Sequence, residues 1–188
     1  SLLWYAPRAR LMRLIHVEGD IGLAERSERP VMWLVPHFLA IDAAGVATQI
    51  LQRKRVCSIY QTQSNPVLDA ALRRGRQRFG LADLFSRHES ALPIVRAVKR
   101  GHPFFNLPDM DFGLRMVVQP VVGEFLPGGQ GYRIRFLAPW TDWPTADAEA
   151  DAASMNRWIE SEIRRCPAQY LWVHRRFKTR PPGEAPLY

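Results

Sequence analysis

Val31-Met32-Trp33-Leu34-Val35, then Pro36-His37-Phe38-Leu39-Ala40-Ile41-Asp42, then an Ala-rich stretch to Gln52 and finally Val56-Cys57-Ser58-Ile59-Tyr60 form the segment on which the fold turns. The first and last runs are short, continuous and apolar, as strands buried on both faces are, and the stretch between them, from about Asp42 to Gln52, reads as a helix. Strand, helix, strand is the pattern of a parallel βαβ unit.

Outward from this unit the pattern continues. A helix is expected from Pro66 to about Arg78, because Asn65 is a good N-cap and Pro66 falls at the first helical position, where its missing N–H costs nothing. Leu92, Val95 and Val98 mark a further helix from about Ser90 to Arg100, ahead of a strand-like Phe104 to Leu107. Met116 to Phe125 reads as a buried strand. Tyr132 to Phe136 alternates apolar and basic residues and is expected to be more exposed, after the turn Gly128-Gly129-Gln130-Gly131. A helix from about Ala148 to Arg165 precedes a last expected strand, Gln169 to Val173. The opening Leu2 to Ile15 is read as a helix after Pro7 that packs on the body, with an amphipathic membrane-surface segment as the alternative. The expected fold class is α/β, a single domain over residues 1–188 with a mostly parallel, mixed sheet flanked by helices.

The chain has 188 residues, enough for one core without staples. Its formal charge is +8, so nucleic acid, anionic lipid and an acidic carrier protein all qualify as partners. No nucleic-acid motif is recognisable, which weighs against the first. Cys57 and Cys166 are far apart in sequence, and two free thiols in a reducing compartment are the simpler expectation. No apolar run is long enough to cross a bilayer, and no signal peptide is visible. The chain begins Ser1-Leu2-Leu3-Trp4-Tyr5, without an initiator Met, and is read as a truncated start that lacks an anchor segment.

His37 follows a buried strand directly, at the carboxyl end, where open α/β sheets place their ligands. Asp42 is five residues on, about 500° around an ideal helix, so His37 must lie in the turn before the helix for the carboxylate to reach back to it. A carboxylate there fixes the tautomer and raises the basicity of an imidazole that takes a proton from a hydroxyl. By spacing alone, a plain helix start with Asp42 on its dipole explains the pair as well. Arg73 and Arg76, three apart, share a helix face and suit an anionic group or a developing oxyanion, although a solvated basic face has the same spacing. Asp109 and Asp111 flank a turn and lack the further carboxylates or histidines that would complete a metal site. His174, Arg175, Arg176, Lys178 and Arg180 form the densest cationic cluster, with Trp172 and Phe177 to anchor it. No Ser or Cys stands in a nucleophile-elbow context.

His37-Phe38-Leu39-Ala40-Ile41-Asp42 resembles the H-x4-[DE] motif of glycerolipid-type acyltransferases. Asn65-Pro66-Val67-Leu68-Asp69 leading to Arg73-Arg74-Gly75-Arg76, then Leu107-Pro108-Asp109-Met110-Asp111-Phe112-Gly113, and the long Gln169 to Pro181 resemble one branch, the late (lauroyl/myristoyl) acyltransferases of lipid A biosynthesis. The resemblance spans nearly the whole chain in order. It implies a glycerol-3-phosphate-acyltransferase-like fold and transfer of an acyl chain from acyl carrier protein to a lipid A precursor, at the cytoplasmic face of the inner membrane. No cofactor and no metal is implied; the donor is an acyl carrier protein or coenzyme A thioester. Mapped onto this sequence, the base falls on His37, its carboxylate on Asp42, and functional arginine and aspartate on Arg76 and Asp109. Arg73, His174, Arg175 and Arg176 are the remaining candidates for holding substrate. Acylation of a lysophospholipid or another membrane lipid is the alternative, and a non-catalytic anionic-lipid-binding protein a further one. Two departures stand out. The N-terminal membrane helix of the family is read as missing from this sequence, and the connection from Gly113 to Met116 is much shorter than the family's, which points to a missing loop or an internal deletion there.

Overall fold

In the computed structural model, residues 2–88, 90–107, 116–173 and 183–185 are described. Among these residues seven strands form one sheet in the order β1-β7-β6-β2-β5-β3-β4. They are β1 (Ile15–Gly19), β2 (Val31–Leu34), β3 (Val56–Tyr60), β4 (Ala82–Ser86), β5 (Phe104–Asn106), β6 (Val117–Phe125) and β7 (Tyr132–Phe136). The helices are α1 (Leu2–Tyr5), α2 (Arg8–Leu14), α3 (Leu23–Arg26), α4 (Ile41–Leu51), α5 (Pro66–Arg76), α6 (Leu92–Lys99) and α7 (Ala148–Arg165). All pairings are parallel except β6 with β7, so the sheet is mixed and mostly parallel, as expected.

β2 lies at the centre, and its alternation divides the core. Val31, Trp33 and Val35 face a layer that includes Leu3, Leu11, Ala43, Ala47 and Ile50 from α1, α2 and α4. Met32 and Leu34 face the other side, with Ile94 and Val98 of α6 and Met155 and Trp158 of α7. A strand with helices on both faces must be apolar at every position, hence its unbroken run. The fully buried Trp33 donates its indole N–H to Gln119 Oε1 at 3.1 Å, and the Gln119 amide donates in turn to the carbonyls of Asp20 and Leu137. That chain satisfies the polar atoms of both side chains where an unmade bond would cost about 1–3 kcal/mol.

The expected helix beginning at Pro66 is present, with Asn65 Oδ1 accepting from the N–H groups of Val67 and Leu68 at 2.9 and 3.1 Å. Two expectations are corrected. Tyr132–Phe136 is not an exposed strand: Tyr132, Ile134, Arg135 and Phe136 are all buried. The strand is flanked by β1 and β6, and Arg135 is neutralised by Glu124 and by Glu162 of α7, which accounts for the apolar-basic alternation. Gln169–Val173 is not a strand either. A short 3₁₀ turn, Pro167–Gln169, leads to a single antiparallel bridge between Tyr170 and Phe38. β6 already has a partner on each side, so this apolar segment seals the end of the sheet instead. β1, β4, α1 and α3 were not anticipated. β4, Ala-Asp-Leu-Phe-Ser, carries a charge, and Asp83 is held by Arg55 through its Nε at 3.1 Å. Among the described residues no helix is long and apolar enough to cross a membrane.

Candidate active site

The strands β2, β5, β3 and β4 run parallel and end at one edge of the sheet. From the end of β2 the chain turns through residues 35–40 into α4, and His37 stands in this turn, half-buried, ahead of the helix. The turn is held from both sides. Its own hydrogen bonds join Phe38 N–H to Pro36 and Ile41 N–H to Phe38. The segment after α7 adds two more: Leu171 N–H donates to the His37 carbonyl and Leu39 N–H to the Gln169 carbonyl, each at 2.8 Å. The rings of Phe38 and Tyr170 meet edge to face at 5.6 Å. The His37 backbone is therefore clamped by residues more than 130 positions away in sequence.

α4 starts at Ile41 and has Ala40 as its N-cap, without a side-chain cap. This start presses against β6: a Cβ on Gly123 would come within 2.8 Å of the Ala40 carbonyl oxygen. Only glycine lets the helix N-terminus sit this close to the sheet.

Asp42, in the first turn, accepts a hydrogen bond from Arg76 at the end of α5, Nε to Oδ1 at 2.9 Å. The two side chains are about one-third exposed, so the ion pair adds little to stability and chiefly fixes direction. The Arg76 carbonyl is in turn bound by the Gln49 amide at 2.7 Å. Gln49 was not singled out from sequence, although a signal existed. It lies seven residues after Asp42, within about 20° of the same helix face. Arg73 does not join this pair; it donates to the Tyr60 hydroxyl at 3.0 Å and lies over that ring. Asp109, His174, Arg175 and Arg176 lie outside the described residues, as does the short connection before Met116.

Below the Asp42–Arg76 pair is a cavity of about 670 Å³, counting its part open to solvent. Its walls are Ile41, Gly45 and Val46 of α4, Val56, Ser58 and Tyr60 of β3, Leu84 of β4, Phe105 and Leu107, with Trp4 of α1. It is mainly apolar, with a charged pair at one end, a shape for a molecule that is polar at its head and aliphatic in its tail. Cys57 is not an available nucleophile: burial pushes its thiol up to about 12. Both cysteines are free. Among the described residues no cluster of three His, Cys, Asp or Glu side chains is placed to hold a metal ion.

Comparison with known proteins first gives the class: the family model for the bacterial lipid A biosynthesis acyltransferase matches residues 2–116 and 113–179. The chain belongs to that family and is an acyltransferase of lipid A biosynthesis. Among its relatives is the lipid A biosynthesis palmitoleoyltransferase of Escherichia coli, 32% identical over all of this chain and 69% of the relative. The lauroyltransferase of the same organism is 29% identical over all of this chain and 70% of its own length. The myristoyltransferase is 28% identical over 87% of this chain and 58% of the relative.

Proposed function

We propose that this chain moves a fatty acyl group from an acyl carrier protein thioester to a hydroxyl of a lipid A precursor, with His37 as general base. The observation that carries this reading is the Asp42–Arg76 contact in the first turn after His37, at the head of an apolar cavity. The relatives, whose names specify palmitoleoyl, lauroyl and myristoyl transfer, support a fatty acyl group as the cargo.

His37 takes the proton of the acceptor hydroxyl as its oxygen attacks the thioester carbonyl. The amino-terminal end of α4, which carries no side-chain cap, turns the positive end of its dipole to the resulting tetrahedral oxyanion; preorganised dipoles of this kind supply the large electrostatic part of acyl transfer. Collapse of the intermediate re-forms the carbonyl and breaks the carbon–sulfur bond, and the proton held by His37 goes to the leaving thiolate. Asp42, oriented by Arg76, supplies negative charge that favours the imidazolium formed on the way. No acyl-enzyme is formed, in keeping with the buried, high-pKa thiol of Cys57.

The protein works at the inner membrane, on its cytoplasmic side. Leu39, Val67, Leu68 and Leu92 are exposed, and each lies on the connection or helix start that follows β2, β3 or β4. All therefore sit along the edge of the sheet that carries His37, as apolar contacts for a lipid surface, and the +8 charge favours an anionic one and an acidic carrier protein.

The test offers the purified chain an acyl carrier protein thioester with either a lipid A precursor or a lysophospholipid, and identifies the acylated lipid by mass spectrometry. The lipid A precursor is expected to gain the chain. His37→Ala should lower turnover at least about 100-fold with the circular dichroism spectrum unchanged. Near-normal transfer by the folded variant, or acylation of the lysophospholipid alone, overturns the proposal.

A further inference from the structure

The cavity runs the length of β3. Tyr60 and Leu107 line it at the carboxyl edge, whereas Val56 and Ala82, paired in register, line it at the amino edge. From Tyr60 to Val56 is four residues of strand, about 13 Å. Asp42 marks the first end. The other end is marked by Gln49, two helical turns or about 10 Å further along α4, which binds the carbonyl of Arg76.

Gly75, the neighbour of Arg76, is buried beneath the indole of Trp4: a Cβ built on Gly75 would stand 2.6 Å from Trp4 Cγ. The cavity-lining Trp4 is thus pinned at the end remote from Asp42. α1 is fastened there by a second contact, Arg78 Nη1 donating to the Leu3 carbonyl at 3.1 Å. The Trp4 indole N–H is buried and makes no hydrogen bond, so what the ring contributes at this place is bulk.

We propose that Trp4 is the floor of the cavity, and that its ring, seated on Gly75, sets the longest acyl chain the protein accepts. This rests on the acyl-transfer reading above, with the aliphatic tail lying between α4 and β3. Trp4→Ala lengthens the cavity and removes no hydrogen bond. Gly75→Ala acts in the opposite sense, because its methyl group displaces the indole into the space the chain occupies.

The test is a competition among acyl carrier protein thioesters of graded chain length, read by mass spectrometry of the product. Relative kcat/KM should move toward longer chains by about tenfold or more in Trp4→Ala, and toward shorter chains in Gly75→Ala. Trp4→Leu, milder for folding, should shift in the same direction as Trp4→Ala. Unchanged chain preference in folded, active Trp4 variants overturns the proposal. Equilibrium binding of free fatty acids of graded length to His37→Ala protein reads the cavity without turnover. If transfer fails with every donor, the acyl-transfer reading fails, and this binding series decides the floor by itself. There, the same length preference with and without Trp4, or no saturable binding at all, overturns it.

Discussion

His37, Asp42 and Arg76 show how differently three residues of one site are held. His37 is placed by backbone hydrogen bonds to its turn and to the segment after α7. Asp42 is placed by its position in the first turn of α4, and Arg76 by a carboxylate at its tip and the Gln49 amide at its base. Charge-assisted pairing of this kind couples the partners, so their effects on rate should not add. Asp42→Asn and Arg76→Met are each expected to lower kcat/KM, and the double variant to lose less than the product of the two factors. Steady-state kinetics on the four proteins checks this; strictly multiplicative losses would show that the contact does not act as a unit.

Elements carry these residues, and their ends decide the geometry. α5 begins at a capped Asn65 and ends at Arg76, so the cap at one end helps to hold the guanidinium at the other. Asn65→Ala should cost about 1 kcal/mol, read as a lower urea midpoint with an unchanged slope. β7 and α7 are joined through Arg135 and Glu162, whose side chains are only 10% and 8% exposed. Arg135→Met leaves the buried Glu162 with the exposed Arg165, 3.6 Å away, and should destabilise by about 3 kcal/mol in the same measurement, far more than loss of an exposed pair such as Arg164–Glu160 would. A loss below about 1 kcal/mol would show that Arg165 or water is enough to hold the Glu162 charge.

At the scale of the whole molecule, charge and apolar edge act together. The net charge of +8 attracts anionic surfaces over distances that salt shortens from about 30 Å at 0.01 M to about 3 Å at 1 M. Binding of the chain to vesicles rich in an anionic phospholipid should therefore be strong at low ionic strength and weaken steeply as salt is added. Replacing both Val67 and Leu68 by Asp should weaken it further at every salt concentration, whereas Leu51→Asp, at the far end of α4, should have a smaller effect. Sedimentation of vesicles with bound protein measures both. Equal binding to neutral and anionic vesicles at all salt concentrations would refute the electrostatic contribution.

Local chemistry determined a large part of this protein. The unbroken apolar runs at Val31 and Val56, with an Ala-rich helix between them, specify a parallel sheet buried on both faces. The Asn65-Pro66 pair specifies where α5 begins, and the helix expected from about Ala148 to Arg165 is α7. The apolar run that ends at Val35 and the helical stretch from about Asp42 place His37 in the turn between them and Asp42 in the helix. Tertiary structure decided the rest, because it depends on partners distant in sequence. The alternating Tyr132–Phe136 has the pattern of a half-exposed strand, and only the approach of α7 buries its arginine. Gln169–Val173 has the composition of a strand, but the strands around β2 are already paired on both sides, and the segment seals the turn that holds His37 instead. Arg76 and Arg73 share a helix face on paper, yet a carboxylate on α4 takes one and the Tyr60 ring the other. The depth of the cavity belongs to this second kind of fact. It is bounded by an indole from α1 resting on a glycine of α5, a contact between residues 71 positions apart that no local pattern announces.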